Sequence, residues 1–96
     1  MKLTSSRVIC NELELARLGE NIRRIRQSLK VTQESLANMC DLHRTYVCDL
    51  ERGARNVSFC ALLKLARGLG TTISELTRNI EYDELPRSEA SDGKRA

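Results

Sequence analysis

Apolar residues recur along this chain in steps of three and four, and the pattern is interrupted at residues that cap or stop helices. From Glu12 to Leu29, the residues Leu15, Leu18, Ile22, Ile25 and Leu29 form one stripe, with Arg17, Arg23, Arg24 and Arg26 mostly off it. Gly19 weakens a helix by about 1 kcal/mol relative to Ala, which shifts the expected start of this helix toward Leu18. Thr32 then offers its hydroxyl to an orphan backbone N–H and predicts the start of a second helix. Ser35, at the third helical position, is not the Glu or Gln that would complete a capping box. Leu36, Ala37 and Cys40 supply the inward face. This helix is expected to end near Cys40, with Asp41 in the turn, because Asp tolerates the left-handed conformation.

A third helix is predicted from about Arg44 to Arg52, with Val47 and Leu50 facing inward and Gly53 as its stop. Ala54 to Val57 read as a polar loop. Ser58 caps a fourth helix, in which Phe59, Leu62, Leu63, Leu65, Ala66 and Leu69 give a wide apolar face that ends at Gly70. Thr71 or Thr72 caps a short fifth helix carrying Ile73, Leu76 and Ile80. No Val/Ile/Thr alternation marks a strand, so the expected fold class is all-α. One domain is expected over 12–82, preceded by an N-terminal extension, 1–11. Pro86 and the Ser/Asp/Gly/Lys-rich end, 83–96, read as a disordered tail.

The stretch TQESLANMCDLHRTYVCDLERG, from Thr32 to Gly53, reads as two short amphipathic helices joined by a tight turn. That is a helix-turn-helix, whose second helix enters the DNA major groove. Arg44 and Thr45 fall in the first turn of that helix, where side chains reach base edges. Arg44 can bond guanine O6 and N7 together, worth about 1–3 kcal/mol of discrimination, and Thr45 can touch a thymine methyl or donate to a base edge. Asp49, on the same face, can accept from a cytosine amino group. Gln33 starts the second helix, where the helix dipole favours an anion. Gln33, Tyr46, Arg55 and Asn56 are expected to grip phosphates, which positions a protein without reading sequence. For each residue the plainer reading is solvated surface or loop chemistry.

Charge and size alter this picture only modestly. The chain has 96 residues and a net charge of +3. The tail from Asp83 to Ala96 holds four acidic and three basic residues, hence −1, which leaves the body at +4. A mildly basic body suits DNA. With one Phe, two Tyr and no Trp, a stacking platform for single strands is not expected. The apolar runs are too short for a membrane span, and Glu12 and Glu14 interrupt what a signal peptide would need. A cytoplasmic protein is expected, in which four cysteines need not pair. A small core makes a dimer interface useful, and no room is expected for a separate ligand-sensing domain.

Cys40 and His43 have a C-x-x-H spacing with Cys48 nearby, yet zinc wants four ligands and this chain has one His. The cysteines read first as small buried hydrophobes, with a redox switch as the sharper alternative. No catalytic constellation, metal site or cofactor motif is present in the sequence, so an enzyme is not expected.

Three strings, IRRIRQSLKVTQESLA, LHRTYVCDLERGARN and SFCALLKLARGLG, resemble the lambda-repressor-like, or Xre-type, family of helix-turn-helix regulators. The second is especially similar to the small controller proteins of restriction–modification systems, and it occurs widely among other Xre-type regulators. The resemblance runs from about Leu18 to Leu76. Two positions depart from it: Asp41 stands where the family usually has Gly in the turn, and His43 where it usually has Ser, Thr or Asp as an N-cap. Family members commonly pair the positions of Arg26 and Glu51, which would tie the first helix to the third. The resemblance implies that His43 stands at a position that contacts phosphate or caps the third helix.

The resemblance implies a five-helix lambda-repressor-like domain that regulates transcription, bound as a homodimer to a palindromic duplex operator, its recognition helices about 34 Å apart. Autoregulation and contact with RNA polymerase are further implications. Leu69, Ile73, Leu76 and Ile80 are the expected dimer interface. An alternative of another class remains: a protein-interaction module, such as an antitoxin or an anti-regulator, that neutralises a partner.

Overall fold

In a computed structural model the described residues are 12–80. The expected extension, 1–11, and tail, 83–96, lie outside them. Five helices follow one another: α1 (Glu12–Ser28), α2 (Gln33–Cys40), α3 (Arg44–Glu51), α4 (Phe59–Leu69) and α5 (Ile73–Leu76). Three of the starts are set by a local device. The hydroxyls of Thr32, Ser58 and Thr72 accept from the backbone N–H of Ser35, Ala61 and Glu75, so α2, α4 and α5 begin with a satisfied donor. His43 precedes α3 in extended conformation and makes no side-chain capping bond. Asp41 (φ 57°) and Gly70 (φ 67°) end α2 and α4 in the left-handed region.

Helix α1 starts at Glu12 rather than near Leu18. Glu12 and Glu14 suit the positive end of the helix dipole, and the helix runs straight through Gly19. That glycine is needed where α1 crosses α3: a Cβ there would overlap the carbonyl oxygen of Leu50 and lie 2.6 Å from that of Glu51. A second correction concerns Leu29, which is exposed because α1 stops at Ser28 and Lys30 turns the chain at φ 62°.

The core lies between α1, α2, α3 and α4, with α5 closing one end. Ile22, Leu36, Val47, Leu50, Leu65 and Leu76 are its fully buried side chains. Each adds about 1.5–3 kcal/mol relative to exposure, which is how so small a domain offsets its chain entropy. The Asn21 amide holds α5 against α1, donating to the carbonyls of Leu76 and Arg78 at 2.9 Å each. Cys40 packs on Gly68, where any larger residue would push α2 and α4 apart. The shape that results clamps α3 from behind and leaves its first turn in solvent.

Candidate nucleic-acid interface

Four polar side chains fix the back of α3. Arg26 of α1 donates from Nε to Glu51 Oε2 at 2.6 Å and from a terminal nitrogen to Oε1 at 3.1 Å, a two-bond fork. A second terminal nitrogen donates to the Val31 carbonyl at 2.8 Å. The side chains are nearly buried, at 12% and 3% exposure. The Glu51 carboxylate raises the Arg26 pKa above its ordinary value, chiefly by its hydrogen bond, so the guanidinium stays charged despite burial. Gln33 Nε2 donates to Glu51 Oε1 at 2.8 Å, and the Cys48 thiol donates to Gln33 Oε1 at 2.8 Å. Helices α1, α2 and α3 are thus joined by one hydrogen-bonded chain.

The front of α3 is open. His43, Arg44 and Thr45 are all exposed at its first turn. A groove separates this turn from α4. His43, Thr45 and Tyr46 line one side, and Arg55, Asn56 and Lys64 line the other. The loop that carries Arg55 and Asn56 is pinned to α3: the Tyr46 hydroxyl accepts from the Ser58 backbone N–H at 3.3 Å, and the Arg55 guanidinium sits 5.0 Å from the Tyr46 ring centre. Asp49 is engaged rather than free. It accepts from Arg52 at 2.5 Å and lies 3.5 Å from Arg55. The hydrogen bond from Arg52, aided by the charges of Arg52 and Arg55, holds its carboxyl below the ordinary 3.8.

The structure therefore sorts the sequence-named residues into three places. Arg44 stands exposed on α3; His43, Thr45, Tyr46, Arg55 and Asn56 share the groove; Gln33, partly exposed at the start of α2, is bonded into the chain that joins α1, α2 and α3. Lys64 was not anticipated. Its Nζ lies 3.4 Å from the Asp41 carbonyl and 3.8 Å from the Asp41 carboxylate, across the turn of the helix-turn-helix. One basic residue on the polar side of a helix carries no periodic signal, so only the fold brings it to the groove.

The residues expected at the dimer interface differ in how far the single chain covers them. Leu69 and Leu76 are buried in the core of the single chain, at 5% and 0% exposure, and Ile73 and Ile80 pack half-buried against it. Leu76 of α5 closes this small core, while Ile73 and Ile80 keep part of their surface exposed. The exposed large apolar side chains of α4 are instead Phe59 (66%) and Leu63 (47%), one turn apart on the same helix.

Among the described residues Cys40, Cys48 and Cys60 are free thiols, and no three or more His, Cys, Asp or Glu side chains gather as they would to hold a metal. Also among them, no helix is long and apolar enough to cross a membrane.

A clamped third helix with a solvent-facing first turn, packed across α2, defines a helix-turn-helix DNA-binding domain. The Helix-turn-helix family model matches residues 22–76, and the chain belongs to that family. Among relatives, control protein C.MunI from Mycoplasma sp is 42% identical over 74 residues, covering 76% of this chain and 99% of its own. Control protein C.BamHI from Bacillus amyloliquefaciens is 48% identical over 59 residues, covering 60% and 73%. Among solved structures, the restriction–modification controller protein C.AhdI from Aeromonas hydrophila superposes with a TM-score of 0.66 at 41% identity, covering 67% of this chain and 97% of that one. These similarities place the chain with DNA-binding regulators of transcription, a family that points away from catalysis.

Proposed function

We propose that this chain reads operator DNA as a homodimer, with Arg44 and Thr45 at base edges and Arg55, Asn56, His43 and Tyr46 along the phosphates. DNA-binding regulation is the activity of its family; the dimer, the contacts and the operator form are this proposal. The observation that carries it is the division of α3. Its back is locked by the Arg26–Glu51 fork, while Arg44 and Thr45 stand exposed at the end that enters a major groove. Asp49 holds two arginines and is therefore assigned to positioning Arg55 rather than to a base.

The second copy is assigned to the Phe59–Leu63 side of α4. That helix also forms one wall of the phosphate groove, so a partner seated on it would fix the distance between two recognition helices. A palindromic operator follows from two-fold symmetry. The controller proteins among the relatives favour a circuit in which the protein senses its own concentration on its own promoter, with RNA polymerase as the neighbouring partner. This reading puts the protein in the cytoplasm with the DNA.

Footprinting the gene's own upstream region, followed by titration of two variants, tests it. Arg44→Ala should erase the preference for the footprinted duplex over an unrelated one. Arg55→Ala should weaken both duplexes alike and shallow the salt slope by about one unit. Equal operator selectivity in Arg44→Ala, or a loss in Arg55→Ala confined to one base position, would overturn these assignments.

A further inference from the structure

Resting on the DNA reading above, we propose that Cys48 is a positioning residue that presets the Gln33 amide as a phosphate donor. The orientation follows from hydrogen-bond logic. An amide has one acceptor oxygen and an NH2 with two donors, whereas a carboxylate only accepts. Both Glu51 oxygens already accept from Arg26, so Glu51 must face the Gln33 nitrogen, as it does at 2.8 Å. Flipping the amide would set two acceptor oxygens against each other. The Gln33 oxygen is thereby turned to Cys48, and the thiol, 2.8 Å away, is its donor.

Both ends of the amide are then fixed, yet one N–H of Nε2 finds no acceptor among the described residues. Gln33 is the first residue of α2, a helix of eight residues whose N-terminal dipole favours an anion. Its side chain is partly buried and held at two points, so little rotamer freedom is left to lose when a phosphate arrives. Cys48 needs no contact with DNA for this. It works through Gln33, from the inner side of the recognition helix.

The test is a set of affinities for one operator duplex and one unrelated duplex, with thermal unfolding as a folding control. Cys48→Ser keeps a donor and should bind like the parent. Cys48→Ala removes the donor and should weaken both duplexes about two- to tenfold, with no matching drop in unfolding temperature. In a Gln33→Ala background, Cys48→Ala should have no further effect. Parent-like binding by Cys48→Ala, or an effect of Cys48→Ala that persists without Gln33, would overturn the proposal alone. A parent protein that binds no duplex at low salt would overturn the DNA reading and this proposal with it.

Discussion

Gly19 of α1 lies directly against the Leu50 carbonyl of α3, so close that a side chain at position 19 would overlap it. Helix propensity alone favours Gly19→Ala by about 1 kcal/mol. Two backbone carbonyls in the way reverse the sign, because separating helices that share a core costs about 1–3 kcal/mol. Gly19→Ala should therefore lower the melting temperature, and circular dichroism on heating reads it. A more stable variant would mean that α1 and α3 have room to part.

Arg26 and Glu51 are nearly buried and doubly hydrogen-bonded. Glu51→Ala strands a guanidinium, and Arg26→Ala strands a carboxylate; each should destabilise by about 3–5 kcal/mol. Arg26→Met with Glu51→Leu should recover most of that loss, since desolvation is then no longer required. Urea unfolding of the four proteins measures both claims. Additive losses in the paired variant would show the two residues to be uncoupled.

Asp49 gains a pH signature from its arginines. Its folded value is depressed below 3.8, so its contribution is present above the unfolded value and is lost as pH falls through the lower folded one. A carbon-detected NMR titration should place the Asp49 carboxyl below the ordinary carboxylate range. Arg52→Ala should move it up. An Asp49 that titrates normally would release it as a candidate base contact.

The proposed Phe59–Leu63 interface separates two kinds of failure. Phe59→Glu or Leu63→Glu should give folded monomers by sedimentation, with weaker operator binding because half-sites are no longer linked. Leu76→Glu should instead unfold the chain, since that side chain is fully buried. A folded monomeric Leu76→Glu would restore α5 to the interface.

Thiol reactivity should follow burial. In a Cys10→Ser background, Ellman's reagent should label exposed Cys60 fastest and Cys40 slowest. Burial pushes the Cys40 thiol up, outweighing a hydrogen bond from the Gly68 backbone, so raising pH through the usual thiol range should leave it largely unlabelled. Rapid labelling of Cys40 would argue for opening between α2 and α4.

Helices whose ends are marked by local chemistry were legible in the sequence. Thr32, Ser58, Thr72 and Gly70 act on neighbours a few residues away, so their spacing was enough. The start of α1 was not, because the reason Gly19 is tolerated lies on α3. The same distance hid the partners of Gln33 and Asp49: a sequence names donors and acceptors but not which ones meet. Periodicity also gave α4 a wide apolar face without saying which edge the rest of the chain would cover. Leu69 proved to be the covered edge, and Phe59 and Leu63 the open one.

Helix α3 has only eight residues, yet its duties are divided between its sides: Val47, Leu50, Cys48 and Glu51 anchor, while Arg44 and Thr45 face outward. Exchanging the outward pair removes no buried surface and breaks no member of the clamp. With Arg44 and Thr45 reading bases as proposed, operator preference is free to drift by point mutation while foldedness stays constant, so related proteins would part company over target sites before they part over stability. Laboratory retargeting has the same freedom: a library randomised at positions 44 and 45 should consist almost entirely of folded proteins, differing in what they read.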